Sequence, residues 1–166
     1  MSVSTQDAAG ATASEPQDTL IDPRGARLAA TLTTVLLAAA LLLAPSAVTV
    51  GLLAVQVVVF GIGAMAGVQH TPYAWLFKVL VRPRLGKPSE LEDARPPRFA
   101  QAVGLGFAVL ALIGYGTGAD LLGSIATGFA LAAAFLNAAF GFCLGCEVYL
   151  LLQRVKQRTA HRLATP

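Results

Sequence analysis

The residues best suited to chemistry are the chain's two cysteines, which stand together as Cys143-Leu144-Gly145-Cys146. At i and i+3 on a helix two thiols share one face, and three uses fit that arrangement. One thiolate can attack a disulfide or a sulfane sulfur while the other resolves the product, giving thiol-disulfide or persulfide exchange. A cysteine pair is also half of a tetrahedral metal site. The other half is missing from the sequence, since the two histidines, His70 and His161, are far from the pair in the chain; only a two-thiolate copper(I) site, or one completed across a dimer, would remain. The third use is packing, because cysteine is a small apolar residue that fits helix interfaces. Glu147 follows the pair directly and is the one carboxylate placed to take a proton from it. Cys143, Cys146 and Glu147 are therefore the candidate catalytic residues. No metal ligand set and no cofactor is indicated, and the sequence holds no phosphate-binding loop, zinc-protease motif, nucleophile elbow or dinucleotide fingerprint.

The thiolate needs help from its surroundings. Reactive Cys-x-x-Cys pairs gain from a helix N-terminus, whose dipole favours negative charge. An unbroken helix from Leu121 to Leu152 would instead hold the pair near its C-terminal end, beside an acid and in an apolar medium, all of which oppose ionisation. The exchange reading therefore calls for a break or change of pitch near Gly141, or for Glu147 as proton acceptor with a cation such as Arg98 nearby. The segment is longer than one crossing needs, which leaves room for a break.

The elements that carry these residues are membrane helices. The chain is 55% hydrophobic and 13% charged, with a mean hydropathy of +0.66, against roughly a quarter charged in soluble domains. No Lys or Arg occurs between Arg27 and Lys78 or between Arg98 and Arg154. Helices of a soluble core must show water a polar face; helices in lipid need not. Four apolar runs, about 28–44, 47–68, 99–115 and 121–152, approach or exceed the ~20 residues that cross a bilayer. The expected fold is all-α: an integral membrane four-helix bundle with an amphipathic interfacial segment after the second helix.

Every one of the 12 basic residues falls before the first run, between the second and third, or after the fourth. The positive-inside bias then puts both termini and the central loop, 69–98, in the cytoplasm. The expected location is the cell membrane, with the bilayer as the first partner. A net charge of +3 follows from that topology, so no nucleic-acid partner is invoked. Arg24, Arg27 and the first apolar run loosely imitate a secretory signal, but a second span follows at once and Pro45 occupies the candidate cleavage site.

Around this core, residues 1–20 read as a disordered tail rich in Ser, Thr, Ala and Asp, 21–154 as the membrane domain and 155–166 as a basic tail. Thr71-Pro72 is a helix start, and Tyr73 to Val81 mixes aromatic and basic residues as an interfacial helix does. Gln56, Gln101 and Asn137 are expected to make hydrogen bonds between helices. A short internal repeat is visible: Arg27-Leu28-Ala29 and Arg98-Phe99-Ala100 each open a hairpin. Gly63-x-x-x-Gly67 and Gly141-x-x-x-Gly145 close the two second helices, which would cross at those glycines.

The segment Phe140-Gly141-Phe142-Cys143-Leu144-Gly145-Cys146-Glu147-Val148-Tyr149, with Leu85-Gly86, Asp22-Pro23-Arg24, Pro72-Tyr73 and the stretch from Glu90 to Gln101, resembles an uncharacterised actinobacterial membrane family, domain of unknown function 4395. The likeness covers Ile21 to Arg154. It carries no assigned activity, but members are often encoded near thioredoxin-like and rhodanese-like sulfurtransferase proteins, which implies thiol or sulfur handling and a cytoplasmic partner of that kind. The leading expectation is a thiol redox or sulfur-relay component. The alternative is a non-catalytic transporter or anchor for a thiophilic solute or partner, in which the cysteines only pack.

Overall fold

A computed structural model describes residues 20–86, 88 and 90–164, with side chains through residue 159. Of the expected tail 1–20, all but Leu20 lies outside the described residues, as does the end of the basic tail. Four helices are long and apolar enough to cross a membrane: α1 (Pro23–Leu42), α2 (Ala47–Met65), α4 (Arg95–Gly116) and α5 (Asp120–Phe140). At 19 to 22 residues each is about 30 Å long, the thickness of the hydrocarbon core. Large apolar side chains such as Val35, Val58 and Leu121 point outward, as lipid-facing residues should. The chain is an all-α membrane protein.

Local chemistry sets where the helices begin. Asp22 accepts the Arg24 backbone N–H at 3.0 Å with proline at the first helical position, and Ser46 accepts that of Thr49 at 3.2 Å. Asp93 accepts the Arg95 backbone N–H at 2.8 Å. The Asp22 cap and the Asp93 turn start α1 and α4 ahead of their apolar runs, so Arg24, Arg27, Arg95 and Arg98 lie within the first turns and not before them.

The four spanning helices form a ring in the order α1, α2, α4, α5, with the most extensive packing between α2 and α4 and between α1 and α5. The half of the ring nearest the short α1–α2 and α4–α5 turns is tightly filled by Leu37, Ala40, Leu53, Ala111 and Ala126. There α4 and α5 approach so closely that a Cβ on Gly114 would stand 2.5 Å from the backbone nitrogen of Gly123. Gln56, with no exposed surface, makes the expected interhelical bond, donating to Thr33 Oγ1 at 3.3 Å.

At the opposite, basic end the two hairpins exchange contacts reciprocally. Arg98 donates to the Ala64 and Met65 carbonyls at the C-terminus of α2, at 2.7 and 2.6 Å. Arg27 donates to the Ala138 and Ala139 carbonyls at the C-terminus of α5, both at 3.4 Å. The strands before the hairpins, β1 (Leu20–Ile21) and β2 (Glu92–Asp93), pair antiparallel with Leu20 opposite Asp93 and Ile21 opposite Glu92. Leu20, Asp22, Arg24 and Arg27 recur as Leu91, Asp93, Arg95 and Arg98 at one constant offset. Ile21 thus meets the equivalent position of the other half, Glu92, which is the pattern a two-fold arrangement of halves produces.

After each hairpin comes a further helix. Thr71 caps α3 (Pro72–Leu76), which continues through a π-helical turn, Phe77–Val81, and a 3-10 turn, Arg82–Arg84. It docks by burying Phe77 against Gly25 and by the Tyr73 hydroxyl donating to Gln56 Oε1 at 3.1 Å, while Trp75, Val79 and Leu80 stay exposed. The matching helix of the second half, α6 (Leu144–Ala164), packs on α4. The apolar run from 121 to 152 is thus divided between α5 and α6.

Candidate functional site

The division lies where the sequence asked for it. Gly141 ends α5 in the left-handed conformation, φ +69°, and the following backbone turns back on the helix: the Gly141 N–H donates to the Asn137 carbonyl at 3.0 Å and the Phe142 N–H to that of Leu136 at 3.3 Å. This pairing satisfies the carbonyls a helix end would leave open. Gly67 plays the same part after α2, with φ +108° and its N–H on the Ile62 carbonyl at 3.2 Å. The two stop glycines are therefore Gly67, the last member of its motif, and Gly141, the first member of its own. The expected crossing of the second helices at those motifs is replaced by contacts to α4. A Cβ on Gly63 would meet the Gln101 side chain at 2.8 Å, and one on Gly145 would meet Ala100 Cβ at 2.6 Å.

With α5 stopped, a new helix starts at the cysteines. Cys143 immediately precedes α6, and its carbonyl accepts the Glu147 N–H at 3.0 Å. Its sulfur accepts the Cys146 backbone N–H at 3.3 Å. The two cysteines form a disulfide with Cα atoms 5.2 Å apart, and both are half-buried. An unbroken helix would have put the pair at a C-terminal end; the break gives it an N-terminal one. Open backbone N–H groups and the positive end of the helix dipole then favour negative charge on Cys143 sulfur once the bond is reduced. Gly145 against Ala100, and the Tyr149 ring 5.7 Å from that of Phe99, fix this first turn to α4.

Glu147 lies in the first turn of α6 and is exposed. Arg98, considered from sequence as a nearby cation, is engaged at the end of α2. The cation placed on the turn leading to the cysteines is Arg27, through Ala138 and Ala139. Sequence reasoning passed over it, although its pairing with Arg98 in the repeat was the available signal. His70 directs Nδ1 to the Ala66 carbonyl at 2.9 Å. Among the described residues no three His, Cys, Asp or Glu side chains gather where a metal ion would sit.

Cys143 also opens onto a cavity of about 780 Å³ that runs along the bundle axis at the basic end, reaching Phe60, Gln101, Phe107 and Asn137. Gln101 Oε1 is buried without a hydrogen-bond partner. Gln69, which follows the first stop glycine as Cys143 follows the second, lines the same cavity.

Compared with known proteins, residues 21–154 match the family described as Domain of unknown function (DUF4395). The chain belongs to that family. The match extends from β1 through all four spanning helices and into α6, so the Cys143-x-x-Cys146 turn and its supporting hairpins fall inside the DUF4395 region. No curated protein and no solved structure matches the chain.

Proposed function

We propose that the chain is a membrane thiol redox or sulfur-relay component in which Cys143 attacks and Cys146 resolves. The observation that carries this is the break at Gly141, which turns the pair from the C-terminal part of a long span into the N-terminus of α6, with the Cys146 N–H aimed at Cys143 sulfur. In exchange with a partner disulfide, the Cys143 thiolate attacks one partner sulfur, and the other leaves as a thiolate that takes up a proton. Cys146, deprotonated with Glu147 as acceptor, then attacks Cys143 sulfur, closes the disulfide and releases the partner dithiol. The reverse sequence oxidises a partner dithiol. Sulfane sulfur would pass the same way, through a persulfide on Cys143.

Basic residues at the end that carries the cysteines support a cytoplasmic site, with both termini on that side of the cell membrane. The partner is then a soluble cytoplasmic protein of thioredoxin-like or sulfurtransferase type. The cavity beside Cys143 favours a second reading, a non-catalytic carrier or anchor for a thiophilic solute.

Thiol labelling in redox buffers, on right-side-out and inverted vesicles, separates these readings. The pair should titrate as one two-electron couple, and once reduced it should label with an impermeant reagent only in inverted vesicles. Cys146→Ser should trap a mixed disulfide through Cys143, and Cys143→Ser should trap none. Transport or anchoring undiminished in a Cys143→Ala/Cys146→Ala double variant, with no adduct in either single variant, would sink the exchange reading and leave the carrier.

A further inference from the structure

The cavity that meets Cys143 extends along α5 from Asn137 to Phe129, about 12 Å along the helix axis. That is a substantial part of a ~30 Å hydrocarbon core. Glu147 does not line the cavity, and a soluble protein disulfide has no use for a chamber this deep. At about 780 Å³ the chamber has the size of a small-molecule site. Its walls are mostly apolar, with Ala, Phe, Val and Leu prominent and Asp22, Lys78 and Arg82 also in the lining, so an occupant must be apolar over most of its surface. The aromatic faces of Phe60 and Phe107 suit a flat ring. Gln101 lines the chamber and no hydrogen bond holds its Oε1, so its amide calls for one polar partner on the ring. A substituted hydroquinone meets all three conditions, and its oxidised form is a two-electron acceptor that matches a dithiol.

Resting on the thiol-exchange reading, we propose that the cavity is a binding site for a lipid-soluble quinone, which takes the electrons that the Cys143–Cys146 pair collects. A partner dithiol reduces the disulfide, leaving two thiols on this chain and a disulfide on the partner. The two thiols then give two electrons and two protons to the quinone: the sulfur–sulfur bond re-forms, and both ring carbonyl oxygens become hydroxyls. One ring oxygen hydrogen-bonds with the Gln101 amide. The cycle balances without another oxidant.

The test uses the full chain in lipid nanodiscs, reduced, freed of excess thiol and kept anaerobic. Decylubiquinone is the lipophilic probe and glutathione disulfide the water-soluble one. One quinol should form for every two thiols lost, at a rate at least about tenfold above that of the Cys143→Ser variant, which has no dithiol to close. Ala133→Leu, which fills the chamber, and Gln101→Leu, which removes the amide, should each slow quinol formation about tenfold and leave oxidation by glutathione disulfide unchanged. Glutathione disulfide oxidising the pair while decylubiquinone does not would overturn the quinone site and leave thiol exchange standing. Oxidation by neither probe would overturn both. Quinone reduction insensitive to Ala133→Leu and Gln101→Leu alike would place the reaction outside the cavity and also overturn the proposal.

Discussion

Gln56 holds three elements together. Its amide donates to Thr33 on α1 and its carbonyl accepts the Tyr73 hydroxyl, so a single polar side chain inside the bundle ties α3 to α1 and α2. Removing the hydroxyl strands a buried acceptor, and Tyr73→Phe should cost about 1–3 kcal/mol at neutral pH. Burial also holds the Tyr73 phenol above its usual 10.0, because the phenolate would lose its hydration. The folded state therefore binds this proton more tightly than the unfolded chain does. The contribution is complete below about pH 10 and is lost as pH rises through the folded value. Unfolding in detergent, followed across that range, should show wild-type stability falling more steeply than that of Tyr73→Phe. Parallel slopes would mean that the phenol is not held neutral by the fold. Part of this was legible in the sequence: a glutamine within an apolar run has to find a partner in the bundle. Which partner it finds was not, because a tyrosine beyond Thr71-Pro72 reaches it only after the chain has turned back at Gly67.

The elements were legible in proportion to the strength of their local signals. Four apolar runs fixed the spanning helices, and Thr71-Pro72 marked the start of α3. The division between α5 and α6 was only an expectation, since phenylalanine, cysteine and leucine around Gly141 are as apolar as a continuing span. What decides it is the left-handed backbone of Gly141 and the two N–H groups that turn back onto Asn137 and Leu136. A Cβ there would touch nothing within 4 Å, so Gly141→Ala acts through conformation alone, at about 1 kcal/mol. Asparagine tolerates the left-handed region better. Gly141→Ala should therefore lower thermal stability and slow thiol exchange, by favouring continuation of α5 through the cysteines, whereas Gly141→Asn should retain most of both. If alanine leaves the exchange rate at the wild-type value, the break is not what activates the pair.

At the scale of the whole molecule the two halves use the same devices and differ at one place. Each has an aspartate accepting a backbone N–H where its first helix starts, sends an arginine to the far end of the other half's second helix, stops its own second helix at a glycine of positive φ, and adds a helix packed back on its first. The sequence showed the arginines as a repeat but not their purpose, because the carbonyls they reach lie 33 to 112 residues away in the chain. The halves diverge just after the stop, where the first places Val68-Gln69-His70 and the second the cysteine pair. This asymmetry makes the two arginines a controlled comparison. Arg98 has the shorter hydrogen bonds, so Arg98→Gln should destabilise more in denaturant titrations, by about 1–2 kcal/mol for an exposed charged donor that water can partly replace. Arg27 holds the last turn before Gly141, so Arg27→Gln should have the smaller effect on stability and the larger effect on the cysteines, slowing thiol exchange several-fold as the cation and the anchored turn are lost together. Arg27→Lys should restore part of the rate by returning the charge. A fall in exchange that tracked stability equally in both variants would mean that Arg27 acts on the cysteines only through the fold.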